Sequence, residues 1–323
     1  MRPFEILCAL ALAIIIGQNC RSQSDTIQNH VFISAVAYDD GFGVALKDPA
    51  GIWYQKSTGE VYVADAGNGR VIIYDSLLTA TYSFKHYVKD RFTGETVLGE
   101  PRSIAVNNDG EILIVDGRTD RLDLLDFRGR LLNSIALNQL LQDSSLSLVL
   151  SAVTIDENGN FYVIVSGDIV LVLVLDRNLN LFRQIGEQGN LPEQLNTPSA
   201  IGLSAGRVYI GELRGLPAVK VFDTLGQFLF GFGEHDIQPE DLSLPSGIAF
   251  LDGPLTGQAT LVVDALRHVV KLFDKDGKYL STIGGFGYFP GLLQYPSGLS
   301  SDNGSTFYVV EKSGGRVQRY DLK

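Results

Sequence analysis

Residues 60–75 read EVYVADAGNGRVIIYD, and residues 111–126 read EILIVDGRTDRLDLLD. In both stretches an apolar, β-rich run ends in an acid, an Arg follows five residues later, and a second apolar run closes the pattern. Less regular copies begin at Asn160, Arg207, Thr260 and Thr306. Six copies at a spacing of roughly 50 residues indicate a repeat architecture, in which each unit buries its faces only by stacking on its neighbours.

Each copy is one part of a longer unit. A short run that usually contains Pro comes before it, as in TPSAIGL from Thr197, and a β-rich run such as GQFLFGFGE from Gly226 comes after it. Turn signals such as NNDG at 107–110 and ENGN at 157–160 separate the runs. Asn-Gly and Asp-Gly favour tight hairpins, because both central residues can take a positive φ. The unit is therefore predicted to form four antiparallel strands, a to d. A repeated four-stranded sheet is typical of the blades of a β-propeller.

The two ends of the chain decide between a closed ring and an open solenoid. The last unit stops at residues 319–323, after its third strand, and so lacks a strand d. The missing run stands at the other end, where Phe32-Ile33-Ser34 matches Tyr279-Leu280-Ser281 of the preceding unit. We therefore predict an all-β, six-bladed β-propeller whose last blade is closed by the N-terminal strand, which removes a free sheet edge.

Composition agrees with this fold and limits the partners. The 323 residues include 35 Gly, which favours turns and short strands over long helices. The formal net charge of −11 disfavours nucleic acid and anionic membranes, since these need a basic face.

The first residues predict export. Residues 1–22 have one Arg, an apolar stretch from Ile6 to Ile16 and then polar residues, which is typical of a signal peptide and short of a membrane span. A buried core helix is the alternative. Cys20 opens a third possibility, a lipoprotein signal whose thiol carries a membrane anchor. The predicted order is a signal over 1–22, a polar linker over 23–29 and the propeller over 30–323, in a secreted or extracytoplasmic protein.

The repeat resembles the NHL family of six-bladed propellers, whose units read P-x-G-I-A-V followed by V-Y-V-A-D-x-x-N-x-R-V-x-x-F-D. Residues 49–52 and 61–75 match best, and Asp65, Asn68 and Arg70 are the structural repeat positions. The resemblance spans about 31–323. It implies a propeller with Pro-led inner strands. The third unit departs from the pattern, since Val165 stands at the position of the acid.

The repeated acids admit two interpretations. Each carboxylate can accept backbone amides of the b–c turn and pair with the Arg across the hairpin, which would make it a device for building the blade. Alternatively, the b–c turns share one face of the disc and form a ligand-binding surface. The candidate residues of that surface are Asp116, Arg118, Arg121, Glu212, Arg214, Asp264, Arg267, His268, Glu311, Lys312 and Arg316.

Arg102 and His268 are the residues that an enzyme would use. Arg102 stands where five other units carry Ala or Ser at the narrow axis, so it either binds an anion in the channel entrance or is held by Glu100 or a neighbouring backbone carbonyl. His268 is a candidate acid or base. Propeller lactonases and amidating lyases are similar in fold, but the positions of their metal ligands carry Ala, Ser and Arg here, and the four histidines lie in different blades. No catalytic residue, metal or cofactor is therefore predicted.

The prediction is a non-catalytic scaffold that recognises a protein, peptide or glycan. A membrane would be contacted only through a lipid on Cys20. The alternative function is a hydrolase or lyase acting in the central channel.

Overall fold

The computed structural model describes residues 27, 28 and 30–323. The predicted signal peptide and Cys20 lie outside the described residues. Two residues of the predicted linker pack on the propeller: Ile27 is fully buried in the core between two blades, and the Gln28 amide donates a 2.9 Å hydrogen bond to the carbonyl of Thr282.

The described chain forms six four-stranded antiparallel sheets, as predicted. The first strand, β1 (Val31–Ala37), belongs to the last blade. Blade 1 then contains β2 (Gly51–Gln55), β3 (Glu60–Asp65), β4 (Arg70–Tyr74) and β5 (Ala80–Lys85), and a small hairpin of β6 (Tyr87–Lys89) and β7 (Thr96–Leu98) follows it. Blade 2 contains β8 (Pro101–Val106), β9 (Ile112–Asp116), β10 (Arg121–Leu125) and β11 (Leu131–Ala136), and a short helix, α1 (Leu137–Leu141), leads on to blade 3.

The remaining blades repeat this order. Blade 3 contains β12 (Leu148–Ile155), β13 (Phe161–Gly167), β14 (Leu171–Leu175) and β15 (Leu181–Ile185). Blade 4 contains β16 (Pro198–Ser204), β17 (Arg207–Glu212), β18 (Val219–Asp223) and β19 (Phe228–Phe232). Blade 5 contains β20 (Pro245–Gly253), β21 (Gly257–Asp264), β22 (Val269–Asp274) and β23 (Tyr279–Gly284), and blade 6 contains β24 (Pro296–Ser301), β25 (Thr306–Glu311) and β26 (Arg316–Leu322).

Blade 6 closes the ring in the predicted way. Strand β1 pairs antiparallel with β26, with Ile33 opposite Tyr320, so the N-terminal strand is the strand d that the last unit lacks. The first strands of the six blades contact one another in a circle, including β2 with β24. The structure is thus a closed six-bladed propeller and not an open solenoid.

Apolar side chains between neighbouring blades hold the ring together. The described residues form six buried clusters, one at each junction between blades. At the junction between blades 5 and 6, the rings of Phe307 and Tyr320 stack within blade 6 with centroids 4.8 Å apart. Burial of such side chains contributes about 1.5–3 kcal/mol each, which is why strands with short apolar runs form a stable sheet here.

The turns at 107–110 and 157–160 differ from the predicted tight hairpins. The residue before the turn carries an Asp or Asn whose side chain accepts two backbone amides, as when Asp156 accepts those of Asn158 and Asn160 at 2.9 and 2.8 Å. A glycine such as Gly159, with φ +82°, completes the turn. In these two turns only the glycine, Gly110 or Gly159, has a positive φ, so the expectation of two such residues was wrong there, whereas Ala205 and Gly206 in the a–b turn of blade 4 have φ values of +49° and +71°.

Candidate functional site

The antiparallel order of each blade places two kinds of connection on one face of the disc. Strand a begins, strand b ends, strand c begins and strand d ends on the same side. We call this side the upper face; it carries the b–c turns and the d–a loops. The lower face carries the a–b and c–d turns.

The repeated acids lie at the upper end of strand b and bind the segment that leads into strand a. Asp65 accepts a 2.8 Å hydrogen bond from the amide of Lys47, and Glu311 accepts one of 2.7 Å from that of Gln294. Glu212 and Asp264 bind the amides of 196–197 and 243–244 in the same way. Each acid therefore links the end of its strand b to the segment that precedes strand a, in addition to any contact with the b–c turn. We call this segment the lead-in of strand a and the link the fastening.

Five of the candidate surface residues are consequently buried. Asp116, Glu212, Asp264, Glu311 and Arg316 are 0–3% exposed, so their side chains serve the interior of the blade and do not form the predicted ligand-binding surface. The prediction for these five residues was wrong, because the same pattern of acid and Arg serves a buried fastening as well as an exposed site. The exposed members are Arg118, Arg214 and Lys312, while Arg121, Arg267 and His268 are half-buried.

The predicted pairing of the acid with the Arg five residues later occurs in two blades. Arg70 lies 2.7 Å from Asp65 and 2.5 Å from Asp40, and Arg316 lies 2.6 Å from Glu311. Asn68 donates to Asp65 at 2.8 Å and completes the blade 1 cluster.

In blade 2 the predicted pairing fails. Arg121 turns to the outer strand, where it donates to the hydroxyl and carbonyl of Ser134 at 2.8 and 3.0 Å. The imidazole of His86 takes its place, with Nε2 lying 3.6 Å from Oδ2 of Asp116. Both side chains are at most 2% exposed, and neither of these two atoms has a hydrogen-bond partner.

Burial shifts the pKa of both members of this pair. Burial raises the pKa of Asp116 to about 6, against the opposing hydrogen bonds from the amides of Arg118 and Glu100. Burial also lowers the pKa of His86 to about 4. Both shifts favour the neutral forms. No sequence pattern links His86 to Asp116, because the two residues belong to neighbouring blades.

Blade 3 contains an acid that the repeat pattern missed. Val165 is buried at the expected position, but Asp168, three residues later, accepts a 2.7 Å hydrogen bond from the amide of Ser147. The fastening between strand b and the lead-in of strand a is therefore present in all six blades. The sequence signal that could have found this bond is the acid in the b–c turn, three residues after the expected position.

The channel at the axis is lined by the six inner strands and the a–b turns. It encloses about 680 Å³ and includes residues such as Trp53, Asn108 and Phe250. At its upper end, the hydroxyl groups of Ser199, Ser246 and Ser297 each donate to a carbonyl of the next blade, at 2.6–3.0 Å. These serines link blade 4 to blade 5, blade 5 to blade 6 and blade 6 to blade 1 through hydrogen bonds.

Arg102 stands at the same level of the channel. Its guanidinium lies 2.9 Å from the carboxylate of Glu100, and the two side chains are 45% and 41% exposed. The pairing with Glu100 considered from the sequence is thus present, and it leaves the guanidinium open to solvent.

Among the described residues, no group of three or more His, Cys, Asp or Glu side chains is arranged to hold a metal ion. Within the same part of the chain, no helix has the length and apolar character to cross a membrane.

His268 belongs to an aromatic cluster. Its Nδ1 accepts a 2.9 Å hydrogen bond from the amide of Tyr295, and its ring lies 4.9 Å from that of Phe286 and 4.7 Å from that of Tyr295. Phe286 and Tyr295 are 63% and 45% exposed. The imidazole therefore supports exposed rings on the upper face.

Comparisons with known proteins identify the repeat. Protein brain tumor of Drosophila melanogaster is 25% identical over 138 residues, which cover 43% of this chain and 13% of that protein. RING finger protein nhl-1 of Caenorhabditis elegans is 37% identical over 70 residues, which cover 22% of this chain and 7% of that protein. Together with the six blades, these matches confirm the resemblance. The chain is an NHL-repeat β-propeller. No protein-family model matches it.

Solved structures show the same fold as this NHL-repeat propeller. A protein of unknown function from Bacteroides thetaiotaomicron superposes with a TM-score of 0.61 at 16% identity, covering 91% of this chain and 76% of that one. A gluconolactonase from Xanthomonas campestris superposes with a TM-score of 0.59 at 12% identity, covering 85% and 86%. At these identities the likeness concerns the fold alone.

Proposed function

We propose that this NHL-repeat propeller is an exported, non-catalytic scaffold whose upper face binds a partner protein or peptide. The observation that carries the proposal is the set of large apolar side chains that the upper face exposes. Phe42, Phe92, Ile237, Tyr288 and Phe289 are each 74–89% exposed and lie in d–a loops. Large apolar side chains that a protein exposes together on one face mark sites of interaction.

The exposed candidates of the sequence pattern lie on the same face as these side chains. Arg118, Arg214 and Lys312 lie in b–c turns of the same face. A central apolar contact with charged groups at the rim is the usual composition of a protein interface. The rigid ring supports the loops, so little ordering is needed on binding.

Affinity capture from the extracytoplasmic fraction tests the proposal. The full mature chain is the bait, and chemical crosslinking with mass spectrometry identifies both the partner and the contacted residues. Crosslinks confined to the b–c turns and d–a loops are expected. Contacts confined to the lower face would contradict the proposal, as would intracellular retention of the full-length protein. The mass of the mature N-terminus shows whether cleavage precedes Cys20 and whether that thiol carries a lipid.

A hydrolase acting in the channel is the second candidate, and the likeness to a gluconolactonase together with the channel of about 680 Å³ favours it. Against it, the hydroxyls of Ser199, Ser246 and Ser297 at the channel end already donate to carbonyls of neighbouring blades. Hydrolysis of gluconolactone, assayed with and without added divalent cations, tests this function. Turnover that is lost in Arg102→Ala or His268→Ala, with the fold retained, would favour the enzyme over the scaffold.

A further inference from the structure

Three successive d–a loops share one construction. Loops 187–195, 234–242 and 285–293 each carry a Pro at the sixth position and end in a buried Leu. The amide of that Leu donates to the carbonyl of the first residue of the loop: Leu195 to Glu187 at 2.7 Å, Leu242 to Glu234 at 2.8 Å and Leu293 to Gly285 at 2.7 Å. The loops stand side by side between blades 3 and 6.

A buried cation fixes each loop from below. The ammonium of Lys220 donates to the carbonyls of Leu191 and Gln194, and that of Lys271 donates to the carbonyls of Pro239 and Asp241. Burial lowers the pKa of Lys271 to about 8.

Arg316 plays the same part in the third loop, where its guanidinium donates to the carbonyls of Tyr288 and Leu292 at 2.6 and 2.8 Å. The three loops are therefore held in place before any ligand arrives.

These fixed loops expose apolar side chains instead of burying them. Leu191, Ile237, Tyr288 and Phe289 at the loop tips are 54%, 84%, 74% and 78% exposed, and Phe286 is 63% exposed. Leu216 and Leu266, in the intervening b–c turns, are each 51% exposed. We call the following seven residues the apolar arc: Leu191, Leu216, Ile237, Leu266, Phe286, Tyr288 and Phe289.

Hydrogen bonds and a ring contact join the second and third loops to the b–c turns of blades 4 and 5. The two ring nitrogens of His235 lie 2.7 Å from the carbonyl of Leu242 and 3.0 Å from that of Gly215, which ties the second loop to the b–c turn of blade 4. The guanidinium of Arg267 binds the carbonyls of the second loop from the blade 5 turn. His268, beside it, packs on Phe286 of the third loop.

The charge of the arc is negative. The first two loops contain no Lys or Arg, and they expose five carboxylates: Glu187, Glu193, Glu234, Asp236 and Glu240. The third loop has no charged residue. Arg267 keeps its positive charge, but it is half-buried with its guanidinium against the loop carbonyls, and the five exposed carboxylates outnumber it. Arg214 is an exposed cation between the first two loops.

We propose that the apolar arc is the docking site for a basic amphipathic segment of a partner protein. This inference rests on the proposed scaffold function and names the part of the upper face and the chemistry of the ligand. Large apolar side chains of the segment pack between the loop tips, and its Lys and Arg side chains meet the five carboxylates. Nucleic acid and anionic membranes are repelled by the same carboxylates. The rings of Phe286 and Tyr288 are inclined by 67°, so these neighbours offer no common plane for stacking a sugar.

Two synthetic peptides probe the site directly. The first is a labelled 18-residue helix-forming peptide of Leu and Lys with its Leu side chains on one face, and the second has Glu in place of every Lys. Fluorescence anisotropy with the full mature chain measures their binding. We expect the Lys peptide to bind and to weaken with added salt, and the Glu peptide not to bind.

Paired variants locate the binding. The double variant Ile237→Ser with Tyr288→Ser removes two apolar side chains from the loop tips. The double variant Glu193→Gln with Glu240→Gln removes two negative charges. Each double variant should raise the Kd of the Lys peptide about tenfold or more. The matched controls lie on the lower face: Leu131→Ser with Leu225→Ser, and Glu157→Gln with Asp276→Asn. The controls should change the Kd less than about twofold. Equal binding by all variants, or equal binding of the two peptides, would overturn the proposal.

Capture of the native partner by the wild type and by the arc variants distinguishes this inference from the scaffold function. A partner that crosslinks to the upper face through a basic apolar segment, and that both arc variants fail to capture, supports both. A partner captured equally well by the arc variants refutes the arc and leaves the scaffold standing. Contacts confined to the lower face refute both.

Discussion

In blade 3, the carboxylate of Asp168 accepts a 2.7 Å hydrogen bond from the backbone amide of Ser147. The sequence repeat places Val165 at the position where an acid does this work in the other blades, and a turn residue supplies the bond instead. The fastening of strand b to the lead-in of strand a is therefore the feature that the blades share, whereas the position of the acid varies.

Substitutions of these acids should differ in cost according to burial. Asp264→Ala leaves the amides of Ser243 and Leu244 without their acceptor in a fully buried site, so we expect the free energy of unfolding to fall by about 2–4 kcal/mol. Asp168→Ala removes one bond in an exposed turn and should cost about 0.5–1.5 kcal/mol. Urea unfolding of both variants measures the difference. A larger loss for Asp168 than for Asp264 would contradict this ranking.

The cluster around Arg70 should behave as a buried ion pair. Arg70→Met leaves the carboxylates of Asp40 and Asp65 without their cation, and we expect a loss of about 3–5 kcal/mol in unfolding free energy. Arg130→Met is the control, because Arg130 is 72% exposed beside Asp126 and its loss should not be measurable. Equal melting temperatures for the two variants would show that the Arg70 cluster does not stabilise blade 1.

Asp116 should make stability depend on pH in an unusual direction. Its pKa is about 6 in the folded state, above the ordinary value of 3.8, so between these values the folded state binds more protons than the unfolded state. Stability therefore falls as the pH rises from about 4 to about 6, and the neutral isostere Asp116→Asn should be more stable than the wild type by about 3 kcal/mol at pH 7. The two proteins should converge below pH 4.

Urea titrations at several pH values test this expectation. His86 contributes in the opposite direction, because its lowered pKa makes stability fall as the pH drops from about 6.5 to about 4. Both proteins retain His86, so the desolvation of its imidazole contributes to both, and their difference reports on Asp116 together with its interaction with His86. Asp276→Asn, at an exposed site, is the control. A variant that is less stable than the wild type at pH 7 would mean that Asp116 is ionised and usefully paired.

Strand β1 should be essential for cooperative folding. Removing residues 1–38 takes away the ladder with β26 and exposes the outer edge of blade 6, including part of the apolar cluster on which Val31 and Ile33 pack. We expect a large loss of stability and a tendency to self-associate through the free edge. Calorimetry and light scattering measure both. A truncated monomer with an unchanged, cooperative melt would contradict ring closure by this strand.

The sequence predicted the architecture well because the repeat signals are local. Apolar runs, turn residues and the matching Phe32-Ile33-Ser34 each report on their own strand, and together they specify six blades and their closure. The site was predicted less well, because burial depends on packing between distant segments. Asp264 and Arg118 look equally available in the sequence, yet one is buried and the other exposed.

Two further features had no local signal. The contact of His86 with Asp116 joins two blades across a gap of 30 positions, and Lys220 lies in the middle of an apolar strand, where its role depends on the carbonyls of a loop in front of it. The apolar arc likewise arises only when three loops meet on one face.

The ladder between β1 and β26 also governs how the molecule responds to mechanical force. The amide of Lys323 donates a 2.9 Å hydrogen bond to the carbonyl of His30, so the two ends of the ring leave it at a single point. A force that pulls these ends apart acts along the direction of the inter-strand hydrogen bonds and loads them one after another, starting at Val31 and Leu322. Although six buried cores hold the blades together, tension on the chain ends would therefore separate β1 from β26 one hydrogen bond at a time.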